Sequence, residues 1–136
     1  MCTRDSAGIF ASAYDLAIFM QMYLQKGAYG GNQFFTEATV KEFTKCQFCE
    51  GENRRGAGFD KAVLENQEGG PACDCNPSSK SFGHSGFTGT LVWVDPDEHF
   101  VYVFLSNRIH PTSDNKKLLE ENIRTEIMHK FYDAIR

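Results

Sequence analysis

Residues 81–94 read Ser-Phe-Gly-His-Ser-Gly-Phe-Thr-Gly-Thr-Leu-Val-Trp-Val. The second half alternates Thr90, Val92 and Val94 against Leu91 and Trp93, which is the period of a β-strand. The first half is small and polar, with His84-Ser85-Gly86 at its centre and glycines at 83, 86 and 89. Glycine weakens a strand, and inside one it often marks a close approach by another backbone or a ligand. The pattern predicts a strand over about 82–94 whose glycine-rich part forms one wall of a site.

On the C-terminal side, Asp95-Pro96-Asp97-Glu98 has the composition of a turn. His99 to Ser106 then reads as a second strand. Its run Phe100 to Leu105 is apolar on both faces, which predicts a central strand covered on each side. The two strands make an antiparallel hairpin. Ser113 or Asp114 is placed to cap a helix over about 114–135, in which Leu119, Ile123, Ile127, Phe131 and Ile135 recur at every fourth residue. Leu118 and Met128 widen that stripe.

On the N-terminal side, Ser12 and Asp15 stand in capping-box spacing. Leu16, Phe19, Met20, Tyr23 and Leu24 follow at i, i+3, i+4, i+7 and i+8, a helix over about 13–26 with Gly27 as its C′ stop. This Met and aromatic stripe reads as core. Gly30-Gly31-Asn32 reads as a turn, and Gln33 to Phe35 is too short to define a strand. Thr36 caps a helix over 37–45 with Val40 and Phe43 buried. From 46 to 80 there is no sustained periodicity, and only Ala57-Gly58-Phe59 suggests a short strand. A run of that length is a surface excursion beside the site strand. The fold class is α+β: one antiparallel sheet with helices on its faces, a single partial domain over 1–136.

A chain of 136 residues can bury one real core. The net charge is −4, and the basic pairs Arg54-Arg55 and Lys116-Lys117 read as solvated surface. No basic cluster marks a nucleic-acid partner. No apolar run approaches a membrane span, the N-terminus lacks a signal-peptide layout, and localisation is not legible. The five cysteines are Cys2, Cys46, Cys49, Cys73 and Cys75. Free loop thiols, a disulfide and a four-thiolate zinc site all stay open for the two close pairs. A redox Cys-x-x-Cys wants a helix start after a buried strand, which Gln47-Phe48 does not suggest. No metal and no cofactor is assigned.

Two serines invite a nucleophile reading. Gly83-His84-Ser85-Gly86-Phe87 falls one residue short of Gly-x-Ser-x-Gly, because Phe87 holds the last glycine position and a strand follows instead of a helix. Ser113-Asp114-Asn115-Lys116 is a literal Ser-x-x-Lys, which sets a hydroxyl and an amine one helical turn apart. A Ser and Asp opening a helix already have a reason as caps, and Lys116 is ordinarily solvated. A third reading makes His84, Ser85 and Gly86 the wall facing a nucleophile. A substrate can lie along the strand, His84 and Ser85 can bond its carboxylate or carbonyl and relay a proton, and the Phe87 N–H can serve as an oxyanion donor. The bland reading is a glycine-rich strand packed on its neighbours. His99, His110 and His129 share no metal-ligand spacing and read as structural or solvated.

His84-Ser85-Gly86, with Phe87-Thr88-Gly89-Thr90 and the strand to Trp93, resembles the third motif of the serine β-lactamase and penicillin-binding-protein superfamily. That motif is Lys-Thr-Gly in many members, and His-Thr-Gly or His-Ser-Gly in class C-like esterases and D-Ala-D-Ala carboxypeptidases. Ala7-Gly8-Ile9-Phe10-Ala11-Ser12-Ala13-Tyr14-Asp15-Leu16-Ala17 is similar to the family's Ala-Gly-Leu-x-Ser-Thr-x-x-Asp-Leu-Ala segment. Leu105-Ser106-Asn107-Arg108 resembles the end of the following strand, and the last helix resembles the family's C-terminal helix. The likeness runs most strongly to β-lactamase-related domains fused behind family 3 glycoside hydrolases in gut Bacteroidetes.

The resemblance also implies what is missing. The family's nucleophilic Ser-x-x-Lys and its Tyr-x-Asn lie upstream of the equivalent of residue 7. This sequence holds no Tyr-x-Asn, and its one Ser-x-x-Lys follows the third motif. The expectation is the C-terminal segment of a longer serine hydrolase of amides, esters or peptides, inactive alone. Its partners are a small-molecule or peptide substrate and the N-terminal segment of the same domain. Without the family's N-terminal strands, strand 99–106 has an unpaired edge that invites self-association. The resemblance places the parent in the periplasm or otherwise outside the cytoplasm. The alternatives are a non-catalytic binding module using the strand groove, and a small zinc-stabilised domain.

Overall fold

The computed structural model describes residues 9–49, 53–62 and 77–136. Helix α1, Ala13–Leu24, starts where its own side chains close the end. Ser12 Oγ accepts the Asp15 N–H at 3.2 Å, and Asp15 accepts the Ser12 N–H at 2.9 Å, the reciprocal box the sequence predicts. Its C-terminus differs by one position. Lys26 takes the left-handed conformation (φ 58°) and donates to Tyr23 O at 3.0 Å, while Gly27 donates to Met22 O at 2.8 Å. That is a Schellman motif with Lys26, not Gly27, at C′. Gly27 is needed for space, since a Cβ there would run into the Phe35 carbonyl.

Strands β1 (Ala28–Tyr29) and β2 (Asn32–Gln33) pair across Gly30 and Gly31, both at positive φ as a two-residue hairpin requires. Helix α2, Glu37–Thr44, is capped by Thr36, whose Oγ1 accepts the Thr39 N–H at 3.1 Å. Val40 is buried as expected, but Phe43 is 47% exposed. Strand β3 is Asp60–Lys61, just beyond the expected Ala57–Phe59, because Gly58 at φ 100° turns the chain there.

The main correction concerns the stretch 82–94. It is two strands, β4 (Phe82–Ser85) and β5 (Leu91–Asp95), joined by a turn at 86–90. Gly86 N–H donates to Thr90 O and Gly89 N–H to Gly86 O, each at 2.9 Å, and Gly89 adopts φ 94°. Two of the glycines that weaken a continuous strand close a hairpin in its place. Phe82 faces Val94 and Ser85 faces Leu91. Strand β6, Phe100–Phe104, completes an antiparallel sheet in the order β3-β4-β5-β6. His99, at φ 51°, belongs to the turn and not to the strand. Among the described residues β6 is the last strand of the sheet, not a central one, and its Phe100, Val101, Val103 and Phe104 are only half-buried.

The final helix is also two: α3, Lys117–Glu120, and α4, Ile123–Ile135, separated by Asn122 in the left-handed conformation (φ 49°). Neither Ser113 nor Asp114 caps; the Thr112 hydroxyl bonds Asp114 in an exposed turn, and Lys116 opens α3. The predicted apolar stripe is largely outward. Ile127, Phe131 and Ile135 are exposed, while Thr125, Met128 and Tyr132 are buried. Residues four apart advance about 40° per step on a helix of 3.6 residues per turn, so a long fourth-residue stripe leaves the packed face.

The sheet sits between two helices. Its α1 face carries Phe82, Val92, Val94 and Val101 against Met20, Tyr23 and Leu24. Its α4 face carries Leu91, Trp93 and Tyr102 against Met128 and Tyr132. Leu91, Trp93 and Val94 have no exposure, and full burial of an aliphatic side chain of this size contributes about 1.5–3 kcal/mol. Phe19 is 46% exposed at the rim of α1, edge-on to Tyr23 at 5.2 Å. The stripe of α1 is therefore core only in part.

Asp95 is a buried carboxylate at the end of β5. It accepts hydrogen bonds from Ser78 N–H (2.8 Å), Ser78 Oγ (2.5 Å), Asp97 N–H (3.1 Å) and Tyr132 Oη (2.8 Å). Burial pushes its pKa up, but those bonds outweigh burial and hold the carboxyl below its ordinary value. A depressed folded pKa contributes stability above the unfolded value, and that stability is lost as pH falls through the folded value. Tyr132→Phe is therefore expected to cost about 1.5–3 kcal/mol at pH 7. The gap to wild type should narrow as pH falls below the ordinary carboxylate range toward the depressed folded pKa of Asp95. Urea unfolding between pH 3 and 7 checks this; a gap under about 0.5 kcal/mol at pH 7 contradicts it.

Candidate functional site

The site is built on the hairpin β4-turn-β5. His84 is exposed on β4 opposite Val92. Its Nδ1 lies 2.8 Å from Ser85 O, and its Nε2 lies 3.4 Å from Arg55 Nη1. Arg55 also reaches Asp60 Oδ1 at 3.2 Å, and the Asp60 side chain is buried on β3 beside Gly83. Ser85 is half-buried, and among the described residues its hydroxyl makes no hydrogen bond. Gly83 has no room for a Cβ, which would strike Val92 O and the Trp93 ring. That close approach is the packing reason for the first glycine of the motif.

The turn is held from outside. Ser106 Oγ donates to Thr88 O at 3.0 Å, Arg108 N–H donates to the same carbonyl at 3.0 Å, and Arg108 Nε donates to Phe87 O at 2.8 Å. The Arg108 guanidinium lies over the Phe87 ring, 4.6 Å from its centroid. A Cβ on Gly89 would sit 2.6 Å from both Leu118 Cδ2 and Ser106 Oγ.

Planarity then fixes one donor. The Gly86 carbonyl is spent on the Gly89 N–H, and in a trans peptide the Phe87 N–H points the opposite way from that carbonyl. Among the described residues no acceptor meets the Phe87 N–H. Phe87 itself is 68% exposed. His84 and Ser85 stand on opposite faces at the end of β4, and the open Phe87 N–H follows in the turn beyond them.

Arg55, Asp60, Ser106 and Arg108 escape the sequence reading. Arg55 reads as half of a solvated basic pair, and 105–108 as a strand end. Arg55 reaches His84 across 29 residues, and Arg108 and Ser106 reach the turn across 21 and 18, which no local pattern reveals. The Ser-x-x-Lys does not assemble: Ser113 and Lys116 are both exposed and precede the helix. Cys46 and Cys49 are joined as a disulfide, with Cα atoms 5.7 Å apart, so they offer no thiolates to a zinc site. Cys73 and Cys75 lie outside the described residues. His129 pairs with Asp133 at 3.4 Å on α4.

A family model described as Beta-lactamase matches residues 3–124. Proteins named "Putative D-alanyl-D-alanine carboxypeptidase" from Salmonella gallinarum (strain 287/91 / NCTC 13346), Salmonella paratyphi B (strain ATCC BAA-1250 / SPB7) and Salmonella newport (strain SL254) are each 34% identical over 112 residues. The aligned stretch is 82% of this chain and 25% of each relative, so the chain spans a quarter of their length. With that model covering most of the chain and relatives at this identity, the chain belongs to the Beta-lactamase family.

The turn depends on Gly89 for its backbone and its space. Gly89→Ala is expected to lower stability by about 1–3 kcal/mol, because an L-residue is strained at that φ and the Cβ has nowhere to go. Equilibrium urea unfolding measures it, with Thr88→Ala as the neighbouring control. Stability within about 0.5 kcal/mol of wild type would contradict the role.

Proposed function

We propose that these residues form the strand-and-oxyanion side of a serine-hydrolase site that forms and hydrolyses an acyl-enzyme from an amide, ester or peptide. The observation that carries this is the Phe87 N–H, which has no acceptor among the described residues, on a peptide whose carbonyl is already bonded to Gly89. A donor so held costs no reorganisation when negative charge develops on a substrate carbonyl. His84 and the open Ser85 hydroxyl lie on opposite faces of the strand that leads into this turn, and each suits hydrogen bonding and proton relay to substrate. The name of the Salmonella relatives supports a peptide ending in D-alanine as one substrate. Fusion to a family 3 glycoside hydrolase is proposed on sequence resemblance alone.

In this reading the nucleophile and base come from a preceding segment of the same domain that carries Ser-x-x-Lys and Tyr-x-Asn. The surface supports such a partner. The edge of β6, unpaired among the described residues, adjoins α4, where Phe131 contacts Phe100 and Tyr102 at ring distances of 6.4 and 5.9 Å yet stays 50% exposed. With Ile127 and Ile135 this makes a contiguous apolar region of the kind that marks an interface. No helix among the described residues is long and apolar enough to cross a membrane. The Cys46–Cys49 disulfide supports an oxidising, extracytoplasmic setting.

The purified chain is expected to turn over neither a chromogenic cephalosporin nor an aryl ester; turnover abolished by Ser113→Ala would overturn that. The donor is tested in a chimera that places residues 1–136 behind the N-terminal part of the Salmonella gallinarum relative. Phe87 follows Gly86 in the turn and keeps a negative φ, so Phe87→Pro removes the N–H while suiting the backbone. Phe87→Pro is expected to lower kcat about 10²- to 10³-fold, and Phe87→Ala to leave most of it. Equal activities of the two variants would refute the donor role.

The same edge has a second consequence for the chain alone. Phe100-Val101-Tyr102-Val103-Phe104 reads identically in both directions, so two copies paired antiparallel about Tyr102 match face to face. Light scattering is expected to show mass rising with concentration, and Val103→Lys to suppress the rise. A monomer at every concentration counts against an open β6 edge.

A further inference from the structure

We propose that the Cys46–Cys49 pair is a thiol–disulfide exchange site whose closed form holds Arg55 beside His84, with dithiols as the class of reductant that opens it. Such a latch works whatever ligand lies along the His84 strand.

Helix α2 ends at Thr44, and Lys45 leaves it in extended conformation (φ −68°, ψ 157°). The disulfide then folds the next four residues back on themselves, with its Cα atoms 5.7 Å apart. Both cysteines are half-buried, so a small reductant can reach the sulfurs. The pair follows the end of α2 instead of opening a helix, and lacks the helix N-terminus that stabilises the attacking thiolate of a disulfide oxidoreductase. It is placed to be opened and closed by other thiols, not to catalyse their exchange.

The closed loop is seated on the hairpin that carries Arg55. Gln47 N–H donates to Arg55 O at 3.0 Å, and Gln47 Nε2 donates to Glu42 O at 2.8 Å, so one residue ties the loop to both neighbours. Cys46 Sγ lies 3.9 Å from the same Arg55 carbonyl. A disulfide sulfur carries no proton, so in the closed form that approach is packing and not a hydrogen bond. The fit is tight: a Cβ on Gly56 would lie 2.7 Å from Lys45 O and 3.1 Å from Phe43 O. Gly56 N–H to Phe59 O (2.8 Å) and Lys61 N–H to Arg54 O (3.0 Å) close the hairpin on its other side.

From the Arg55 backbone the path to His84 is one side chain long. Arg55 Nη1 reaches both the buried Asp60 carboxylate and His84 Nε2. A guanidinium has no acceptor, so Nε2 accepts and the ring proton sits on Nδ1, facing Ser85 O. The disulfide supplies the two-state element that coupling requires. Closed, it restricts residues 46–49 to few conformations; open, the loop regains freedom and its bond to Arg55 O breaks more often. Opening takes two electrons and two protons. A thiolate of the reductant attacks one sulfur to form a mixed disulfide, and the reductant's second thiol displaces it, leaving two cysteine thiols and a cyclic disulfide. The latch is closed in an oxidising compartment and open where thiols are kept reduced.

The test follows amide hydrogen exchange and the His84 Cε1–H signal by NMR in the full 136-residue chain, before and after dithiothreitol. Reduction is expected to speed exchange at the Gln47 N–H at least about tenfold and to move the His84 signal, with the Trp93 amide unchanged. Reoxidation should restore both. Cys46→Ser with Cys49→Ser should show the reduced values without dithiothreitol and no further response to it. Should that variant fail to fold, Cys2→Ser with Cys73→Ser and Cys75→Ser carries the test, and should keep the full response. A pair that resists excess dithiothreitol, a reduced protein with Gln47 and His84 unchanged, or equal acceleration at Trp93 would overturn the proposal.

Discussion

The carboxylate of Asp95 holds together parts of the chain that share no local sequence. It receives Ser78 from the segment before β4, the Asp97 backbone from its own turn, and Tyr132 from α4. A buried charge with fewer donors would be a liability; with these it locks the end of β5 to the last helix. The lock sets the height at which α4 crosses the sheet, so Met128 lies in the Trp93 and Tyr102 cluster. With α4 covering one face and α1 the other, β5 is buried on both sides. A strand in that position has little freedom to slip, because a shift of one residue would turn Leu91 and Trp93 to the wrong helix.

The order at β5 passes to the site through register. Leu91 faces Ser85 and Val92 faces His84, so fixing one strand fixes His84 and Ser85 on the other. What lies between them is a short turn with its outer side braced by Ser106 and Arg108 and its inner hydrogen bonds closed by Gly86 and Gly89. A turn built this way is braced at its carbonyls and, among the described residues, leaves the Phe87 N–H open. Preorganised donors are what acyl transfer needs, and the same rigidity would serve a binding groove. Membership of the Beta-lactamase family favours the first.

Local chemistry was legible and long-range chemistry was not. The Ser12 and Asp15 box, the Thr36 cap, the Gly30-Gly31 turn and the pairing of β5 with β6 each depend on residues a few positions apart, and each stands as the sequence predicts; that the turn joins two short paired strands is added by the structure. The stretch 82–94 misleads because alternation continues into Thr90 while the glycines turn the chain, and apolar period alone cannot distinguish a strand from half of a hairpin. The last helix misleads similarly: spacing by four looks amphipathic, yet the packed line runs through Thr125, Met128 and Tyr132. At the site, His84 to Phe87 stood out by composition. The contacts of Arg55 with His84 and of Arg108 with Phe87 were invisible, since a partner 29 or 21 residues away leaves no trace beside it in the chain.

The central claim is that the hairpin of β4 and β5 is one half of an acyl-transfer site, with the Phe87 N–H aimed at the reacting carbonyl. The most direct measurement is a crystal structure of the chimera trapped as an acyl-enzyme with a slowly hydrolysed β-lactam. The account predicts the acyl carbonyl oxygen about 2.7–3.1 Å from the Phe87 nitrogen. An acyl oxygen held by other donors, with the Phe87 N–H facing solvent, would contradict it.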